Sequence, residues 1–364
     1  MARAKKSKES TFFRDFVTEL GDVNTHIADD GLHSSEFTGY IDTGSYLFNA
    51  LLSGTIFGGL PDNKITALAG ESATGKTFFA LGIIKAFLNK FPDAGVFFYD
   101  TEAAVTKAMM QDRGIDTKRV IIVEACTVEE FRTHVSRVLT NYMAITGEKP
   151  RMMMVLDSLG QLSTEKEVED IGTGKGARDM TRAQMIRGAF RALSLMLAKA
   201  NVSLIVTNHV GDKIGGFSAP GMPPPKVMGG GSGLRYAASQ IIFLSAAKDY
   251  DKETKEVVGS IIHCKTDKSR LTKQNRKVDV KLTYSSGLDR YWGLLEFAKE
   301  HGVVTAEGIS YVFGEVKMKA KEIRLQPSVF FTQELLEAID EVAQKKFKYG
   351  KADDEAGSES EDSA

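Results

Sequence analysis

The chain has 364 residues, 42% of them hydrophobic and 26% charged, with a formal net charge of −1. This is ordinary globular composition, and at about 150 residues per domain it predicts two domains, or one large domain with small additions. No apolar run approaches the ~18 residues of a membrane span, the two cysteines exclude a disulfide framework and fit a reducing cytoplasm, and the basic start MARAKKSKES lacks the apolar stretch of a secretory signal. The expectation is a cytoplasmic protein with no membrane partner.

Residues 1–40 are mostly polar, with one apolar cluster, TFFRDFV (11–17). Phe12, Phe13, Phe16 and Val17 suit either packing on their own core or anchoring on a neighbouring copy. From residue 64 short apolar runs alternate with longer amphipathic ones. KITALA (64–69), GVFFY (95–99), VIIV (120–123), MMMVL (152–156), VSLIVT (202–207) and QIIFL (240–244) predict strands. They are nearly continuous rather than alternating, which predicts cover on both faces. The segments 78–91, 129–144 and 181–200 predict amphipathic helices. A β-α-β-α series of this kind predicts an α/β fold with a mostly parallel central sheet flanked by helices. SIIHCK (260–265) and KVDVKLTY (277–284) predict an antiparallel extension of that sheet. A helix at 292–302, a hairpin at 309–319 and a helix at 332–347 predict a small α+β module over 291–349. The last stretch, 352–364, holds six acids and no Lys or Arg, so the rest of the chain carries 47 basic and 42 acidic residues. Such an end reads as a disordered solubilising tail or as a polyanion competing with nucleic acid for a basic surface.

The stretch GESATGKT contains G-x-x-x-x-G-K-T at Gly70, Gly75, Lys76 and Thr77, between a predicted strand and a predicted helix. That context makes it a phosphate-binding loop. Gly70, Glu71, Ser72, Ala73, Thr74 and Gly75 would curl their N–H groups around phosphate oxygens, with Phe78 just beyond, at a helix N-terminus that favours anions. Lys76 would reach the β- and γ-phosphates of ATP and Thr77 would place its hydroxyl on Mg²⁺. Ligand-contacting groups gather at the carboxyl ends of parallel strands. Asp157 ends one strand and suits a Mg²⁺ partner behind Thr77. Asp100 and Glu102 end another, where a carboxylate could polarise the attacking water. Asn208 and His209 end a third, where a polar group could feel the γ-phosphate. Two long Gly-rich loops leave these strand ends, at 163–184 and 211–233. Loops of that length inside a domain are commonly functional. Their glycines and their cations Lys175, Arg178, Arg182, Lys213 and Lys226 suit the tracking of nucleic-acid phosphates.

GESATGKT, FFYDTEAA, VLDSLGQL, TNHVGD and MGGGSGLRYAAS occur in the order and spacing of RecA-type recombinases. The chain resembles that family, and within it the recombinases of tailed phages of the T-even kind, over about 41–313. The resemblance implies a RecA-like P-loop core over 41–290, after a protomer-contacting segment (1–40) and before the small module (291–349) and an acidic tail (350–364). It implies that Glu102 is the catalytic carboxylate, Asp157 the Walker B acid and His209 the γ-phosphate sensor. Lys268 and Arg270, in DKSR, fall on the cations that reach a neighbour's ATP. Residues 163–177 and 211–229 fall on two DNA-binding loops. Arg178, Thr181, Gly229, Gly230, Gly231, Ser232 and Arg235 flank or close them, where phosphates would lie. Met109 stands where the family usually has a tyrosine on adenine, and Tyr284 is a further candidate for that contact. The activity implied is a DNA-dependent ATPase that coats single-stranded DNA as a filament and exchanges strands with homologous duplex, with a loading mediator and a single-strand-binding protein as further partners. A ring helicase on the same core and a non-hydrolysing ATP-bound mediator are the alternatives.

Overall fold

In the computed structural model, which describes residues 9–22, 25, 27–30, 39–173, 181–212, 226–251, 254–283 and 287–350, the chain opens with helix α1 (Glu9–Leu20). A two-stranded ribbon, β1 (Tyr40–Ile41) with β2 (Leu60–Pro61), brackets helix α2 (Tyr46–Ser53), whose first turn is capped by the Ser45 side chain. The predicted core follows as β3 (Ile65–Gly70), α3 (Lys76–Lys90), β4 (Gly95–Asp100), α4 (Lys107–Asp112), β5 (Val120–Glu124), α5 (Val128–Ala144), β6 (Met152–Asp157), α6 (Glu165–Gly172), α7 (Arg182–Ala200) and β7 (Ser203–Asp212). Then come β8 (Lys226–Met228), α8 (Gly233–Ala237), β9 (Gln240–Tyr250), β10 (Val257–Ser269), β11 (Lys277–Thr283) and β12 (Gly287–Leu288).

These strands join one sheet in the order β12-β11-β10-β9-β3-β7-β6-β4-β5, with β8 paired to β7. The run from β9 to β5 is parallel, and β9-β10-β11-β12 is the expected antiparallel extension. Successive strand residues point to opposite faces, so two apolar layers form. Leu68, Phe98, Val155 and Ile205 face α2 and α3, where Phe48 and Phe79 meet edge to face at 4.7 Å. Ala67, Tyr99, Leu156 and Val206 face α5 and α7, against Phe131, Phe190 and Leu193. A Thr127–Glu130 capping box starts α5. No helix among the described residues is long and apolar enough to cross a membrane.

Three expectations change. The run at 120–123 is not covered on both faces: β5 is the sheet's edge, and Ile121 and Ile122 are 42% and 45% exposed. The three aromatics near the N-terminus do not pack on their own core. They lie on α1 against one another, with Phe12 and Phe13 each more than 60% exposed. The hairpin at 309–319 is part of a three-stranded sheet, because β13 (Thr305–Glu307) pairs with β14 (Ser310–Phe313), which pairs with β15 (Val316–Lys319).

The C-terminal segment also holds α9 (Leu294–Glu300), α10 (Ala320–Leu325), α11 (Pro327–Phe330) and α12 (Gln333–Phe347). Leu335, Ile339, Ala343 and Phe347 of α12 share one apolar cluster with α2 and α3. A buried carboxylate reinforces this junction. Asp340 Oδ1 accepts from Thr55 Oγ1 at 2.6 Å and from the Ile56 N–H at 2.7 Å. Removing it strands a buried N–H. Asp340→Ala should lower unfolding free energy in urea by about 1.5–3 kcal/mol, and Asp340→Asn, which keeps an acceptor oxygen, by a smaller part of that.

Candidate functional site

Strand register assembles the site. Gly70 of β3 lies opposite His209 of β7, Asp100 of β4 opposite Asp157 of β6, and Leu156 of β6 opposite Val206 of β7. Four adjacent strands therefore end along one edge, where ligands of open α/β sheets collect.

Residues 71–75 join β3 to α3, with Ala73 at φ +60 and Gly75 at φ +80. Those left-handed turns curl the loop so that successive N–H groups converge on an anion. A Cβ on Gly70 would lie 2.6 Å from Thr74 Oγ1 and 2.7 Å from the Leu244 carbonyl, so only glycine keeps the loop this close to β9. Lys76 is buried, and its Nζ donates to the carbonyls of Gly70 (3.0 Å) and Glu71 (2.7 Å). Burial lowers its pKa, against the pull of the Asp157 and Glu102 carboxylates. Thr77 Oγ1 donates to Asp157 Oδ2 at 2.6 Å, and the Thr207 hydroxyl donates to Asp157 Oδ1. Asp157 is itself buried. Burial pushes its carboxyl up, opposed by the two hydroxyls and aided by the charges of Glu102 and Asp100. A hydroxyl paired with a carboxylate beside a buried ammonium fits Mg²⁺ with a triphosphate, since Mg²⁺ takes one or two carboxylates and completes its shell with water and phosphate.

Of the two acids after β4, Asp100 is consumed by the turn: its oxygens accept the N–H groups of Glu102 (3.1 Å) and Val105 (3.3 Å). Glu102 reaches the edge. Its Oε1 accepts from Ser158 Oγ at 2.7 Å and lies 3.3 Å from His209 Nε2. Partial burial raises its pKa, but the hydrogen bonds from Ser158 and His209, with the nearby charges of His209 and Lys76, outweigh that and hold it below the usual value. Glu102 is thus an ionised acceptor at neutral pH, as a general base must be. Met109 is half-buried in α4, and Arg113 joins it to Phe78: Arg113 Nη1 donates to Met109 O at 2.9 Å while the guanidinium lies 4.2 Å from the Phe78 ring centroid. This apolar and cationic rim borders the phosphate loop.

The predicted phosphate-tracking residues fare differently. Lys175, Arg178, Lys213 and Tyr284 lie outside the described residues. Lys226 turns back to the phosphate loop, its Nζ 2.7 Å from Glu71 Oε1. Gly229 closes on β7, its N–H donating to His209 O and its carbonyl accepting from Asn208 Nδ2. Gly230 and Gly231 lie against α7 at Ile186 and Ala183. Thr181 and Ser232 are exposed at the starts of α7 and α8. Arg235 pairs with Asp267 at 2.5 Å. Arg182 points at backbone carbonyls after Ser158.

Lys268 and Arg270 sit at the other end of the sheet. Lys268 pairs with Ile241, which lies opposite Ala67, whereas Gly70 lies opposite Leu244. Three residues at about 3.3 Å each put the pair roughly 10 Å below the chain's own phosphate loop. Lys268 Nζ donates to the carbonyls of Arg235, Tyr236 and Ala238 at the end of α8, and Arg270 Nη2 to Tyr236 O.

Sequence reasoning missed Ser158, Thr207, Thr101 and Arg113. Ser158 and Thr207 each adjoin a strand-end residue already singled out, and that adjacency was the signal available.

The family model described as the RecA N-terminal domain matches residues 15–289. The "Recombination and repair protein" of Enterobacteria phage T4 is 31% identical over 258 residues, which are 71% of this chain and 63% of the relative, so the match spans less than two thirds of that protein. A "Protein RecA" of Anaplasma marginale (strain Florida) is 27% identical over 79% of this chain and 74% of its own length. A "Protein RecA" of Thermus aquaticus is 25% identical over 93% of this chain and 92% of its own length.

The narrow fit at Gly70 gives a direct test. Gly70→Ala should weaken binding of a fluorescent ATP analogue by about tenfold or more, about 1.4 kcal/mol, because a backbone carbonyl must move to admit the methyl. Titration of the folded variant measures it.

Proposed function

The chain belongs to the RecA family, and from that premise we propose that it is a DNA-dependent ATPase that coats single-stranded DNA as a helical filament and exchanges strands with homologous duplex in recombination and repair. One observation carries this reading: the carboxylate suited to hydrolysis, Glu102, is hydrogen-bonded to His209, which lies not at a strand end as expected but inside β7, three residues before the strand gives way to the second Gly-rich loop. Turnover and nucleic-acid grip therefore share a contact.

Lys76 and the loop N–H groups hold the triphosphate of ATP. Thr77 and Asp157 hold Mg²⁺, which when bound neutralises phosphate charge. Glu102 orients the attacking water and takes its proton. His209 responds to the terminal phosphate and passes its presence to the loop after β7. Lys268 and Arg270 cannot serve their own loop from the far end of the sheet, so they serve the nucleotide of a neighbouring copy, as an arginine finger does. A head-to-tail contact of that kind that does not close gives a filament. In this organisation residues 1–40 supply the protomer contact, with Phe12, Phe13 and Phe16 as its apolar anchor. Residues 41–290 are the ATPase core, 291–349 the small module and 350–364 an acidic tail. DNA is gripped by its phosphates, and base pairing between strands supplies specificity. A loading mediator and a single-strand-binding protein complete the partners, in the cytoplasm of the cell that houses the DNA.

Glu102→Gln should still bind nucleotide and single-stranded DNA but turn over ATP about 10²–10⁴ times more slowly, the range of a lost general base. Normal turnover in that variant, measured with saturating single-stranded DNA, would remove Glu102 from its role. Lys268 gives a pH test. In the free protomer burial, aided by the Arg270 and Arg235 charges, lowers its ammonium to about 8, while Asp267 is held by Arg235. A neighbour's triphosphate favours the charged form, so Lys268 has the higher pKa in the filament. Its contribution to assembly is then complete below about pH 8 and is lost as pH rises above it. Light scattering should show ATP-dependent assembly weakening by up to about tenfold per pH unit there, with Lys268→Arg showing no such loss.

A further inference from the structure

Arg182, the first residue of α7, follows the first Gly-rich loop, yet its guanidinium faces inward. Its Nε donates to Leu162 O at 2.7 Å, and its Nη2 donates to Gly160 O at 2.8 Å and Leu159 O at 3.3 Å. The planar fork of arginine suits such a fixed set of acceptors, which lysine cannot reproduce. All three carbonyls belong to the turn 159–162, and that turn is pinned at both ends. At its start the Ser158 N–H donates to Thr101 Oγ1 (2.8 Å), whose hydroxyl donates to Ser158 O (2.9 Å). At its finish the Ser163 N–H donates to Cys126 O and the Val128 N–H to Ser163 O, both at 2.9 Å. Leu159 and Leu162 anchor it in the core below α5 and α7.

This turn lies beside Ser158, His209 and the return of the second loop. Ser158, fully buried, donates its hydroxyl to Glu102 Oε1. Glu102 Oε2 has no hydrogen-bond partner among the described residues, so it is the oxygen left for water. A Cβ on Gly160 would lie 3.5 Å from His209 Cδ2, and one on Gly230 would lie 3.6 Å from Leu159 Cδ2, so the root and the return of the second loop rest on the same turn.

We infer that Arg182 is a positioning residue for hydrolysis and not a phosphate contact: it clamps the turn 159–162, and through Ser158 the rotamer of Glu102, so that nucleic acid on the first loop acts on turnover through this one fork. The inference rests on the ATPase reading above. An uncorrected shift of about 1 Å at a catalytic group costs on the order of 10²-fold in rate, so a small movement of α7 is enough.

The test compares wild type, Arg182→Lys and Arg182→Ala for affinity to a fluorescent oligothymidylate at several salt concentrations, and for ATP turnover at saturating oligonucleotide. Expected are affinities within about twofold of wild type with unchanged salt slope, and DNA-stimulated turnover lower by about tenfold or more, in Arg182→Lys as well as Arg182→Ala. Ser158→Ala should reproduce the fall in kcat with nucleotide affinity unchanged, and Ser158→Thr should restore it. A phosphate contact behaves otherwise: affinity falls about tenfold, the salt slope drops by about one, and Arg182→Lys is mild. That pattern, a loss of DNA affinity beyond about twofold in Arg182→Lys, or normal turnover in Ser158→Ala overturns the inference. A wild-type chain that turns over no ATP, or whose turnover ignores DNA, instead removes the reading of a DNA-dependent ATPase itself, so the two failures are told apart before any variant is measured.

Discussion

A carboxylate buried at the end of a central strand, with a threonine hydroxyl on each oxygen, is the point from which the site is laid out. Taking a charge out of water is costly unless it is hydrogen-bonded or paired. Asp157 is tolerable there because Thr77, in the first turn of α3, binds it on one side and Thr207, within β7, on the other. Satisfying it fixes the spacing of β3, β6 and β7, and with it the positions of Lys76, Glu102 and His209. The raised pKa of Asp157 and the lowered pKa of Lys76 both record the cost of desolvation in one dry corner, a pattern that marks functional sites.

The arrangement separates two tasks along the sheet. At the carboxyl edge, groups that follow or end β3, β4, β6 and β7 meet within hydrogen-bonding reach. At the opposite edge, Lys268 and Arg270 are held by the carbonyls that end α8. Those carbonyls carry the negative end of a helical turn, which stabilises cations. Since α8 follows directly on the second loop, the cations are held by the segment into which that loop runs.

Apolar surface is distributed unevenly. The large layers on both faces of the sheet are closed, and α12 completes one of them. The rings of α1 and the edge strand β5 remain open, with Phe12, Phe13, Phe16, Ile121 and Ile122 all substantially exposed. An isolated chain gains nothing by exposing the clustered rings of Phe12, Phe13 and Phe16, and exposed apolar groups of this kind are what interaction surfaces provide. These open rings are what the proposed contact between protomers would cover.

Whatever depended on neighbours in the chain was legible beforehand. The phosphate loop, its flanking strand and helix, and the acids at strand ends follow from local spacing, because a strand–turn–helix unit is built from consecutive residues. The parallel order of the core and its antiparallel extension follow from the alternation of runs. The resemblance carried by short motifs pointed to the same family for the same reason. What tertiary structure alone decided are pairings across long separations. Thr77 meets Asp157 80 residues away, and Ser158 meets Glu102 across 56. No periodicity reports such contacts, since they depend on which strands lie side by side and in what register. The same holds for β5, left at the edge, and for Arg182; Asp100 is the local exception, its oxygens taken by the N–H groups of its own turn at Glu102 and Val105. A basic residue beside a Gly-rich loop reads as a free cation in sequence, and only the folded chain shows that three carbonyls have claimed it.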